Sequence, residues 1–220
     1  MTTSDIRPPA TSGSAHGRRR RALILTQAAG LFAERGFHAV GMGDIGAAAG
    51  VTGPAIYRHF VNKHAILVGL FDQVAEQLLE RARAIVDPVS AGTAIPAFGD
   101  TFGAQPRRDN TATLPRLVAA HVDFALAERS LIKVYAQEAH NLPDPARSRL
   151  RRVRRLYIQE FVDVVADLRP DLSDAQVRLL VHAAFGLMNS VADHDPGIPW
   201  EDTAELLRSA ALRTLLGTVR

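Results

Sequence analysis

The chain has 220 residues, 47% apolar and 22% charged, and no cysteine. That is an ordinary soluble globular composition, and it excludes disulfides, thiolate chemistry and thiolate-bound zinc. The formal net charge of +3 hides an asymmetry: Met1 to Lys63 holds eight Arg and Lys against three Asp and Glu, while the remainder holds 18 against 20.

The basic excess therefore lies in the N-terminal part, which is the part suited to a polyanion. No apolar run reaches membrane-span length, and the N-terminus lacks the apolar core of a secretory signal. Met1–Gly17 is rich in Ser, Thr, Pro, Gly and Ala and reads as a disordered tail. Arg18, Arg19, Arg20 and Arg21 follow. Four cations are disfavoured at a helix start by the macrodipole, and a nearby polyphosphate would remove that penalty. This arm is expected to touch phosphate or enter a minor groove; the bland alternative is a solvated charge run.

The spacing of Ile24, Ala28 and Leu31 predicts a first helix over Arg20–Arg35, closed by Gly36. Asp44–Ala49 is a short helix of small residues anchored by Ile45. Gly50 ends it by taking positive φ. Thr52 is placed to N-cap the next helix with its hydroxyl, Pro54 sits in the first turn, and Ile56 and Phe60 face inward. Two short helices around such a corner form a helix-turn-helix, whose second helix is shaped for a DNA major groove. The bland reading is a plain helical hairpin. Tyr57, His59 and Lys63, three phosphate-seeking side chains on the outer surface, count against it.

Ile45-Gly46, Ala49-Gly50-Val51-Thr52, Ile56-Tyr57-Arg58-His59-Phe60 and Asn62-Lys63 resemble the DNA-binding domain of the TetR (tetracycline-repressor-like) family of transcriptional regulators. The resemblance covers about residues 20 to 70. Two positions depart from the pattern: Gly41 stands where the family often has a phosphate-touching Thr, and Gly46 where it usually has Ala. The resemblance implies an all-α, nine-helix, two-domain repressor fold. After the tail (1–17), residues 18–64 would be the DNA-binding domain and 65–220 the ligand-binding and dimerisation domain. It implies that Gly53, Pro54 and Ala55 approach the bases and that Tyr57, His59 and Lys63 take phosphates, with Thr52 adding another. Gly53 and Ala55 offer only backbone and methyl contacts, so hydrogen-bonded base readout falls to Arg58, the arginine arm or DNA shape. A cytoplasmic location and no membrane partner also follow.

The fourth helix, about Asn62 to Val86, carries a stripe of Leu67, Phe71, Val74, Leu78, Ala82 and Ile85. It reads as a rod of roughly 35 Å leaving the small domain. Asp87–Pro115 reads as a long loop, with a short helical turn near Ala97 to Phe102. Helix returns over Leu114–Ala139, broken near Glu128 to Ser130. The seventh helix spans about Ala146 to Leu168, with Arg147, Arg151, Arg154 and Arg155 off its apolar stripe, leaving room for an anionic effector head group such as an acyl thioester; the bland alternative is a solvated face. The eighth, about Asp174 to Asp193, follows a Ser173 cap and is apolar on nearly all sides, so it is expected to be buried on both faces. The ninth covers about Trp200 to Leu216.

His121, Phe124, Tyr135, Glu138, Tyr157 and Asn189 are aromatic or polar groups set into apolar faces, and together they are candidates to line a small-molecule cavity. Taken singly, each is better read as satisfying a neighbour, Glu138 by pairing with a helix-seven arginine. Val181, Leu187, Leu207 and Ala211 are candidates for the seam of a homodimer built from the last two helices. Asp193-His194-Asp195 lacks a second ligand pair at metal spacing. No phosphate-cradling loop and no nucleophile elbow is present, so no cofactor, metal or catalytic residue is expected. The leading expectation is a homodimeric repressor on a palindromic operator, released by a small hydrophobic or amphipathic effector. The alternatives are a constitutive DNA-binding dimer, and a helical enzyme or adaptor with a vestigial helix-turn-helix.

Overall fold

A computed structural model of the chain describes residues 15–87 and 109–217. Among these residues the chain is α-helical with short 3-10 turns and no strand. It divides between Ile66 and Leu67 into two compact units, Met1–Ile66 and Leu67–Arg220.

The first unit holds α1 (Ala15–Arg35), α2 (Met42–Ala48), α3 (Gly53–Ile56) and the first turn of α4 (Lys63–Val86). Helix α1 starts five residues before the predicted Arg20, so Ala15–Gly17 are not part of a tail; the rest of the predicted tail lies outside the described residues. Arginine is a good helix former, and the macrodipole penalty is only tenths of a kcal/mol per exposed charge. That is too little to stop the helix short of the arginine run. Ile24, Leu25, Ala28 and Phe32 bury one face of α1. Gly36, at φ 78°, turns the chain so that the Phe37 ring packs 5.3 Å from that of Phe32.

Helix α2 also begins earlier than predicted, at Met42. Gly41 has no hydroxyl, but the Asp44 carboxylate accepts from its N–H at 2.8 Å and so supplies half of a capping box. Gly50 takes φ 61°, closing α2 as expected. The corner is tight: the Val51 N–H donates to the Gly46 carbonyl at 2.9 Å, and a Cβ at position 46 would lie 3.3 Å from the Val51 oxygen. This crowding is the physical reason a glycine suits that place. Asn62 Oδ1 accepts from the Ala65 N–H at 2.8 Å and caps α4.

The second unit packs α5 (Asn110–Ala127), α6 (Arg129–Glu138), α7 (Asp144–Leu168), α8 (Asp174–Asn189) and α9 (Trp200–Leu216) with the body of α4. Leu114, Leu117, Val118, Phe161, Val165, Val181, Met188 and Leu215 form its centre, all almost completely buried. The predicted loop reached to Pro115, but α5 begins at Asn110 and carries Pro115 inside it. Asp109 makes this possible. Its carboxylate accepts from the Thr111 hydroxyl and from the Thr111 and Ala112 N–H groups. Those bonds, the hydroxyl first, also hold its pKa below the usual carboxylate range. The proline then forfeits one backbone bond in a helix already nucleated by a strong cap. The predicted turn near Ala97 to Phe102 lies outside the described residues.

The break between α5 and α6 falls at Glu128, φ −117°, where the sequence placed it. The buried Arg169 guanidinium donates to the Leu215 and Gly217 carbonyls, closing the end of α9, and pairs with Asp171 at 2.8 Å. Helix α8 is not buried on both faces within the chain. Val177, Val181, Ala184, Phe185 and Met188 point inward, while Leu179, Ala183 and Gly186 are exposed, with Leu179 at 70%. No helix among the described residues is long and apolar enough to cross a membrane.

Candidate nucleic-acid interface and internal cavity

Helix α3 is held from beneath by Ile56 and Phe60, both buried. Thr52, Gly53, Pro54, Tyr57 and Arg58 are exposed along its outer edge, and Ala55 and His59 are half-buried. Thr52 occupies the N-cap position through its backbone, but its hydroxyl makes no capping bond. Pro54 removes one of the N–H groups such a bond would serve. The hydroxyl therefore remains on the exposed surface.

Two of the predicted phosphate groups stand differently from expectation. All of Arg18–Arg21 lies on α1, where only Arg20 and Arg21 were expected to be helical, and the Arg21 guanidinium lies 4.5 Å over the Phe60 ring. A helix presents four consecutive residues to different sides, so the run cannot act as one strand in a groove. Lys63 points into its own unit. Its ammonium donates to the carbonyls of Phe37, His38 and Val40 at 2.5, 3.3 and 2.8 Å. Three hydrogens meet three acceptors, which leaves none for a phosphate. The sequence shows the lysine but not the chain end between α1 and α2, whose carbonyls lack helical partners.

The second unit holds a partly open cavity of about 130 Å³. Five of the six predicted lining residues meet there: His121, Phe124, Tyr135, Tyr157 and Asn189. Glu138 does not. It is buried and accepts from Asn141 Nδ2 at 2.6 Å, so its carboxylate serves the chain turn after α6. Of the four off-stripe arginines of the seventh helix, which the sequence offers as room for an anionic head group or as a solvated face, Arg154 alone is on the lining; sequence reasoning assigned no lining role to the apolar Phe71, Leu78, Leu131 and Phe185. Those apolar residues carry ordinary core periodicity, which does not separate a wall from a packed interior.

One wall is a chain of neutral polar groups. His121 Nδ1 lies 2.9 Å from the Tyr157 hydroxyl, and Nε2 lies 3.1 Å from Asn189 Oδ1. Burial lowers the His121 pKa to about 4, with the Asn189 bond opposing, so the ring is neutral at pH 7. The carbonyl oxygen of Asn189 can only accept, so Nε2 carries the proton. Nδ1 then accepts from the Tyr157 hydroxyl. Burial likewise pushes the Tyr157 pKa up, keeping that hydroxyl protonated. Phe161 and Phe185 pack edge-on against the same histidine, with Phe185 at 4.6 Å between ring centres.

Two predicted seam residues, Val181 and Ala211, are fully buried and face their own core, so they cannot meet a partner. Leu187 and Leu207 are half-buried. A helix apolar on both sides does not reveal from sequence which side is inside. Leu179 and Leu206, at 70% and 58% exposure, occupy the open faces instead. His182, which the sequence offers as a core histidine or an interface residue, is exposed, so the core alternative falls. Among the described residues no group of three His, Asp or Glu is placed to hold a metal ion, Asp193-His194-Asp195 included.

The short helix pair around Gly50, with an exposed second helix on a small buried core, defines a helix-turn-helix protein. Residues 24–70 match the model for bacterial regulatory proteins of the tetR family, and residues 107–193 match a tetracyclin repressor-like C-terminal domain. The chain belongs to the tetR family of bacterial regulatory proteins. It is 31% identical over 137 residues to the HTH-type transcriptional repressor KstR2 of Rhodococcus jostii, spanning 61% of this chain and 57% of that protein. It is 34% identical over 64 residues to the HTH-type transcriptional activator FasR of Mycolicibacterium smegmatis, 29% of each. The chain thus matches little more than half the length of these relatives at most. Among solved structures, the ketosteroid transcriptional regulator KstR2 of Mycobacterium tuberculosis superposes with a TM-score of 0.68 at 25% identity, covering 95% of both chains.

Proposed function

We propose that the protein is a sequence-specific DNA-binding transcriptional repressor, acting as a homodimer and released from a palindromic operator by a small, largely apolar effector. The observation that carries the reading is the pairing of two features in one chain. One is an exposed α3 edge with Thr52, Tyr57 and Arg58 on the basic unit; the other is an apolar cavity with a hydrogen-bonding wall in the second unit. Arg58 supplies base readout and Tyr57, His59 and Thr52 take phosphates, while Gly53, Pro54 and Ala55 allow close approach.

Repression is favoured over activation because the match to the repressor covers 61% of the chain and the match to the activator 29%. Dimerisation is supported by the exposed Leu179 and Leu206 on neighbouring helices. Ala183 and Gly186 share the open face of α8 with Leu179 and are small enough to let another helix approach. Ligand control is supported by the cavity and by the structural likeness to the ketosteroid transcriptional regulator KstR2. Helix α4 supplies Phe71, Val74, Ala75 and Leu78 to the cavity wall and begins at Lys63 in the other unit. That makes it the element through which occupancy would reach the DNA edge, and the coupling is reciprocal.

The test is selection of operator sequences from a random DNA pool, followed by titration at several salt concentrations. A palindromic site bound with a steep salt dependence supports the reading. Absence of any preferred sequence would favour the adaptor alternative. A preferred sequence whose affinity responds to no small molecule would leave the constitutive dimer.

A further inference from the structure

The cavity lining carries two chemically different groups, a neutral chain of buried His121 and Tyr157 with half-buried Asn189, and the exposed Arg154. At the buried end the bond directions fixed above leave specific groups unspent. Asn189 Oδ1 is taken by His121, but Asn189 Nδ2 makes no hydrogen bond among the described residues. It is not a sealed orphan either, since the buried side-chain atoms without partners are Asn110 Oδ1 and Arg208 Nε alone among those residues. An amide N–H of the wall is thus reachable and unpaired. His121 and Tyr157 have both committed their protons, to Asn189 and to His121 respectively. This end offers a neutral donor in an apolar, aromatic surround.

The other end is cationic. Arg154 lines the cavity and is exposed, with its guanidinium 5.6 Å over the Tyr135 ring. Its neighbours on α7 are spent differently: Arg147 pairs with Asp144, and Arg149 with Asp72. Arg154 has no carboxylate partner among the described residues, and no Asp or Glu lines the cavity. It is the single formal charge on the lining, set on an aromatic face that fixes its direction.

We propose that the effector is a keto acid or a close relative: an apolar body with an uncharged carbonyl acceptor for Asn189 Nδ2 at the buried end and an anionic group for Arg154 at the exposed end. This rests on the ligand-controlled reading above, but it concerns which ligand binds and not what binding does to DNA. A neutral wall of this kind discriminates against a buried carboxylate, because desolvating a charge without a counter-ion is costly. The acid must therefore lie outward and the carbonyl inward. The volume of about 130 Å³ suits a body about the size of one ring.

The experiment uses the full chain without DNA and three matched probes followed by ligand-observed NMR: 4-acetylbenzoate, 4-ethylbenzoate, which lacks the carbonyl, and methyl 4-acetylbenzoate, which lacks the charge. 4-Acetylbenzoate is expected to bind about tenfold more tightly than either. Asn189→Leu should remove the advantage over 4-ethylbenzoate alone, and Arg154→Met the advantage over the ester alone. Circular dichroism of both variants checks that they fold. Equal binding of all three probes, binding of none, or selectivity untouched by the two substitutions would overturn the proposal. Selective binding that leaves operator affinity unchanged would instead overturn ligand control while leaving this assignment in place.

Discussion

The ammonium of Lys63 donates to the carbonyl of Phe37 at 2.5 Å and sits 4.4 Å above the centre of the same residue's ring. One side chain thus closes the chain end after α1 and fixes the first turn of α4 to it. The expected outcome of Lys63→Met is a less stable N-terminal unit, by about 2 kcal/mol for the lost charge-assisted bonds. The salt slope of DNA binding should stay the same, because no phosphate contact is lost. Thermal unfolding and a salt titration of the variant check both. A slope lowered by about one would return Lys63 to the phosphate set.

The open faces of α8 and α9 are where the proposed dimer would form. Leu179→Glu should give a folded monomer by light scattering, since Leu179 is 70% exposed. Val181→Glu should fail to fold, because it buries a charge with no partner. A dimeric Leu179→Glu variant would move the seam elsewhere.

Acid should weaken the second unit through His121. Its folded pKa of about 4 lies below the ordinary value of 6.5, so between those values the unfolded chain binds the extra proton. Stability from this residue is intact above pH 6.5, declines as the pH falls, and is fully lost near pH 4. The total is on the order of 3 kcal/mol. Urea midpoints at pH 7 and 4.5 for the wild type and for His121→Phe measure it. The pH dependence should be shallower in the variant, and identical slopes would contradict the buried neutral ring.

Arg58 is exposed on the α3 edge and is the long donor there able to reach a base edge. Arg58→Ala is expected to lower the ratio of specific to non-specific DNA affinity by about tenfold, within the range of one bidentate base contact. Tyr57→Phe should weaken both kinds of DNA alike. Competition binding against unrelated DNA separates the two effects.

Helix positions were legible where periodicity and glycine punctuation agreed, as at Gly36, Gly50 and the break at Glu128. They were missed where a side chain did the capping: Asp44 for α2 and Asp109 for α5 each moved a start toward the N-terminus. The aromatic and polar cavity residues stood out because His121 and Asn189 have no place on an apolar stripe unless they meet each other. Arg154 was named with three other arginines but not singled out, because a helix full of arginines hides the one that reaches the cavity. Inside and outside could not be told apart for Val181 and Leu179, because both are apolar and only the packing of α5 and α9 chooses between them.

Four residues make up α3, and such a helix has no independent stability. It persists because Ile56 and Phe60 are buried under it. The exposed residues beside those two anchors, Gly53, Tyr57 and Arg58, point away from the buried core. Gly53, Tyr57 and Arg58 can therefore drift by mutation with little effect on the unit that displays them. Under the proposed function, a gene copy could acquire a new DNA preference through a few neutral-to-fold changes at these positions, keeping the cavity of the second unit unaltered. New regulatory circuits would then arise by divergence at the reading edge, without a new scaffold.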